Sequence, residues 1–109
     1  MDENVERVAQ FGRRVDGALR SEKARIRREI SAYPPPIPAC DAQFNYLLEQ
    51  RNRVAQELSA VTAAARHERS AADKIAALVA LVDASQVLPA DVKRQLLATL
   101  PTAAGSART

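Results

Sequence analysis

The chain has almost none of the residues from which small proteins build covalent or metal-centred chemistry. It contains one cysteine, one histidine, no tryptophan and three glycines in 109 residues. A single cysteine closes no internal disulfide, so the pattern is not that of a secreted, cross-linked scaffold. Cys40 and His67 lie far apart in sequence and do not make up the convergent ligand set that zinc requires. The glycines, at 12, 17 and 105, are isolated, which excludes a glycine-rich phosphate loop. No apolar run approaches the roughly 18 residues that span a bilayer. The first residues, Met1-Asp2-Glu3-Asn4, are acidic and lack the charged-then-apolar order of a secretion signal. Aspartates and glutamates are scattered among Arg and Lys neighbours, with no pair set apart for acid–base work. The expectation is a soluble, cytoplasmic, non-enzymatic protein with no cofactor, metal or small-molecule substrate.

What the chain does have is Ala, Leu, Val, Arg and Glu. Hydrophobic residues make up 47% of it and aromatics only 4%, a balance typical of all-α proteins whose cores are aliphatic. Its length suits one domain with a modest core. In residues 2–33, Val5, Val8, Val15, Leu19, Ile26, Ile30 and Tyr33 recur at gaps of three, four and seven, with Gly12 filling one slot. That spacing puts them on one helical stripe. Pro34 ends the helix, because the residue before a proline is pushed away from helical angles.

The connection 34–40 is proline-rich. Pro35-Pro36-Ile37-Pro38 matches the loose PxxP pattern of polyproline ligands, but between two helices it serves better as a rigid spacer. Cys40 stands just before the next helix, where it is read as a small packed residue. Asp41 is a good N-cap. From there a second stripe runs through Phe44, Leu47, Leu48, Val54, Ala55, Leu58, Val61, Thr62 and Ala65. The heptad continues through Ala72, Ile75, Val79 and Val82, which favours one long helix over about 42–85. Ser70-Ala71-Ala72-Asp73 is a capping-box pattern and marks the competing start of a separate helix at Ala71. His67 falls in a run polar on every side and is read as a surface residue. A last helix over 89–100 opens at Pro89 and carries Val92, Leu96, Leu97 and Leu100. Residues 102–109 are small and polar and are expected to be a disordered tail.

Folded at the prolines, the two stripes match antiparallel: Ile30 with Phe44, Ile26 with Leu48, Leu19 with Val54, Val15 with Leu58. The paired numbers add to 73 or 74, as an antiparallel hairpin requires. The predicted architecture of residues 1–101 is therefore an all-α, coiled-coil-like helical hairpin with a C-terminal helix. The same register sets Arg51 opposite Glu22, each the charged residue within its stripe. They either pair across the seam and fix the register, or Arg51 lays its methylenes there and sends its guanidinium to water.

Two surfaces suggest function. Helix 1 covers the second segment only to about residue 71, so Ile75, Leu78, Val79 and Val82, with Leu96 and Leu100, are expected to need another chain. This makes a self-associating interaction or assembly module the leading expectation, its partner a second copy or another helical protein. The alternative is an accessory protein that contacts a nucleic-acid backbone through Arg13, Arg14, Arg20, Arg25, Arg27 and Arg28. Against it, acidic residues are interspersed and no aromatic recurs among the arginines for base stacking. A membrane-surface role lacks the large apolar residues it would need beside the basic face.

Overall fold

The computed structural model describes residues 2–34, 41–66 and 70–100. The proline run 35–38, Cys40, His67 and the tail 102–109 lie outside the described residues. The described residues form four helices in chain order: α1 (Asp2–Ala32), α2 (Ala42–Arg66), α3 (Ala71–Ala84) and α4 (Ala90–Ala98). The described residues contain no strand, as the all-α expectation requires.

α1 and α2 form the hairpin, and they pack against each other more extensively than any other pair of helices. Its corner is tied by side chains at both edges of the connection. The Tyr33 hydroxyl donates to Asp41 Oδ1 at 2.8 Å, and the same oxygen accepts the Phe44 backbone N–H at 2.9 Å. The Tyr33 and Phe44 rings lie 5.3 Å apart and tilted by 50°. Asp41 thus caps α2 and also latches it to the end of α1. The Phe44 amide, and after it the Tyr33 hydroxyl, hold the Asp41 carboxyl below its ordinary value. The hydrogen bond to Asp41 pushes the Tyr33 hydroxyl up.

The long second helix favoured by the heptad is not one helix. Ser70 has an extended backbone (ψ 161°), and its hydroxyl oxygen accepts the Asp73 N–H at 3.1 Å. The capping signal prevails over the heptad because a break lets α3 turn back and bury its apolar face. α3 runs antiparallel to α2: Ala71 and Lys74 lie by Arg66, whereas Ser85 and Gln86 lie by Glu57. It packs against both α1 and α2, and α4 packs against α1 and α3.

This arrangement overturns the expected self-association surface. Leu78, Val82 and Leu96 are buried in the chain's own core, and Ile75, Val79 and Leu100 are half-buried against it. The exposed strip predicted for a single long helix does not exist, because folding back supplies its cover. Phe11 is the largest residue in the fully buried centre, at 1% exposure, beside Val15, Leu19 and Ile26. On α2 the covered face consists of Leu47, Gln50, Val54, Leu58, Val61 and Ala64; Ala55, Thr62 and Ala65 are exposed. Gln50 is buried in place of Arg51; its amide N–H donates to the Tyr46 hydroxyl at 2.6 Å.

Nor does the predicted Glu22–Arg51 pair form. Glu22 accepts from Arg25 at 2.9 Å on its own helix, and Arg51 is exposed on α2. A partner three residues away on the same helix is reached without crossing the seam, so local pairing wins.

A second polar fastening closes the α3–α4 turn. Ser85 Oγ accepts the backbone N–H groups of Val87 and Leu88 at 3.1 and 3.0 Å. Its hydroxyl donates to one carboxylate oxygen of Glu57, and the Gln86 N–H donates to the other at 2.9 Å. Arg53 beside it bonds Gln86 and Glu49.

Phe11→Ala should destabilise by about 3–5 kcal/mol, the usual cost of emptying a buried aromatic site, measured by urea unfolding. A cost below about 1 kcal/mol would contradict the packing. The corner latch has its own pH signature. Asp41, with its folded value depressed, stabilises above the ordinary carboxylate range and loses this as pH falls through that depressed value. Tyr33, with its value raised, stabilises below the ordinary tyrosine range and loses this as pH rises through the raised one. The difference in Tm between wild type and Tyr33→Phe should therefore be largest near neutral pH and shrink at both extremes.

Candidate functional site

The arginines of α1 divide into two groups. Arg13 bonds Glu6 at 3.3 Å, Arg20 bonds Asp16 at 2.7 Å, and Arg25 bonds both Glu22 at 2.9 Å and Glu29 at 2.6 Å. These are i,i+3, i,i+4 and i,i+7 partners, which a helix brings together on one side. Glu29, then Glu22, raise the Arg25 guanidinium's pKa further above its ordinary value. Arg14, Arg27 and Arg28 are exposed and make no ion pair among the described residues. The expected phosphate-contacting face is thus half neutralised by its own helix. No set of three or more His, Cys, Asp or Glu side chains converges among the described residues.

The feature that sequence reasoning missed lies at the other end of the hairpin. There α1, the last turns of α2 and the first turns of α3 leave a groove of about 460 Å³ between them. Its floor is small or apolar: Val8, Ala9 and Gly12 from α1, Val61, Ala64 and Ala65 from α2, Ala71 and Leu78 from α3. Val5, on the same wall, is 63% exposed, the most exposed large apolar residue described. Four charged residues also line it: Arg13, Asp16, Arg66 and Lys74. Arg13 and Asp16 are already engaged by Glu6 and Arg20. Arg66 and Lys74 make no ion pair among the described residues.

The groove exists because its walls carry short side chains. A Cβ on Gly12 would meet Leu78 Cδ1 at 3.7 Å, an ordinary contact, so the helix would accept alanine here. Glycine inside a helix costs about 1 kcal/mol relative to alanine. Its presence leaves open a space that the fold does not require open. The sequence signal was available in Ala63-Ala64-Ala65 and Ala71-Ala72, but it points to a groove only once α3 is known to turn back.

Comparison of the chain with protein-family models, curated proteins and solved structures found no match. No helix among the described residues is long and apolar enough to cross a membrane.

Gly12→Ala and Gly17→Ala should each stabilise the fold by about 0.5–1 kcal/mol in chemical denaturation. Gly17 has open space around its Cβ position, so its variant is the control for helix propensity alone. A loss of stability in Gly12→Ala would show that the glycine is needed for packing and not merely tolerated beside the groove.

Proposed function

We propose that the chain is a small, non-enzymatic helical interaction module that docks an apolar helical segment in the groove between α1, α2 and α3. The observation that carries this is the groove itself, apolar and small-walled, with Val5 left exposed at its edge. Its volume falls within the range of about 300–1,000 Å³ common to ligand clefts. Its walls are helices, so an incoming segment finds ridges and grooves to pack against rather than a sheet edge to extend. The apolar surface of α3 and α4 is used inside the chain, which makes the groove the better place for a partner.

A second reading, backbone contact with nucleic acid, is favoured by Arg14, Arg27 and Arg28, which make no ion pair among the described residues. It is weaker because Arg13, Arg20 and Arg25 are matched by carboxylates of the same helix.

Ala9 and Ala65 are exposed groove residues, so leucine at either fills the groove without entering the core. Helical peptides selected from a displayed library on the wild-type chain should bind Ala9→Leu and Ala65→Leu at least about tenfold more weakly, as measured by calorimetry. Equal binding to both variants would remove the groove as the site. Oligonucleotide binding that weakens steeply with salt, and that is lost when Arg14, Arg27 and Arg28 are replaced by glutamine, would favour the second reading.

A further inference from the structure

We infer that the groove's partner is an acidic amphipathic helix from another protein, with aliphatic side chains on one face and Asp or Glu flanking them. This rests on the groove as a docking site and adds the charge and origin of what docks there.

The charge follows from what lines the groove. Of its four charged residues, Arg13 and Asp16 are matched by neighbours on α1. Arg66, in the last turn of α2, and Lys74, near the start of α3, make no ion pair among the described residues. Both stand where α2 ends and α3 begins, at one edge of an otherwise apolar surface. A segment that buries leucines on the floor brings its flanking residues against these two cations. Carboxylates there gain, and lysines there are repelled.

The foreign origin follows from the chain's own helices. α1 has an excess of basic residues, and α4 carries Lys93 and Arg94 against one acid, Asp91. α3 is the one mildly acidic helix, with Asp73 and Asp83 against Lys74, and its apolar face is already spent in the core. The whole chain carries +3. A second copy therefore has no free acidic apolar helix to offer, and two copies approaching through this edge would set cation against cation.

The test uses two designed helical peptides of about 18 residues, long enough to hold a helix. Both carry leucine on one face; one has glutamate and the other lysine on its flanks. Fluorescence anisotropy with the full chain should show the glutamate peptide binding about tenfold tighter, the combined effect of a few exposed charge pairs. That preference should shrink as salt rises. The exposed Arg66 and half-exposed Lys74 can be reversed together, Arg66→Glu with Lys74→Glu, with circular dichroism confirming the fold. The double variant should prefer the lysine peptide, and Ala65→Leu should weaken both peptides alike.

Equal binding of the two peptides to the wild type would overturn the acidic partner while leaving the groove intact. Unchanged binding to Ala65→Leu would overturn the groove itself. A dimer in sedimentation that Ala65→Leu abolishes would assign the groove to a second copy. Displacement of a fluorescent long-chain fatty acid from the wild type, with neither peptide bound, would assign it to a lipid; either result refutes the proposal.

Discussion

The apolar face of α1 is wider than one helix can cover, and the rest of the molecule follows from that. Val8, Val15, Leu19 and Ile26 would suffice for a seam with α2, but Phe11 and Gly12 extend the face sideways, and Gly12 lies by Leu78 of α3. Leaving such a face in water is costly at about 25 cal/mol per Å² of apolar surface. A third helix alongside removes the cost and hides its own Leu78 and Val82 in the same step. The break at Ser70 is the local condition for that return, and the Glu57 carboxylate fastens its far end. The break and the clamp are each polar and small, and both serve the same burial.

The helices were legible in the sequence, and so was the hairpin. The stripe from Val8 to Ile26 and the stop at Pro34 located α1, and Asp41 was recognised as the cap that the Phe44 amide confirms. The path of the chain after Ala65 was not legible. A heptad continuing through Ile75, Val79 and Val82 looks the same in one long helix as in two that fold back. The Ser70 capping box marked the break locally, but the return of α3 along α2 depends on tertiary burial, which no local pattern records. Phe11, three residues after Val8 and four before Val15, fits the α1 stripe and was legible without the structure. On α2 two stripes share the same three-and-four spacing, and the chain buries Ala64 rather than Ala65 and Gln50 rather than Arg51. The seam ion pair failed for a related reason: register arithmetic ranks partners across helices but ignores a nearer one along the same helix.

The candidate groove was out of reach for sequence reasoning because it is made of what is absent from its walls. Alanines and a glycine carry no chemical signature, and their meaning depends on which helices face each other across them. The arginines attracted attention as residues, yet three of the six are neutralised by their own helix. The two cations that matter most for the groove, Arg66 and Lys74, belong to no row and come to line one groove only because α3 runs back along α2.

The molecule is elongated, 54 × 26 × 18 Å. Cooperativity is graded along such a shape. Amides at the helix ends open by local fluctuations that need not disturb the core, whereas those around Phe11 and Val82 are released only with the whole domain. The groove is walled by such ends: the first turns of α1 and α3 and the last turns of α2. A partner seated there pins three helix ends at once, and part of its binding energy is offset by ordering them.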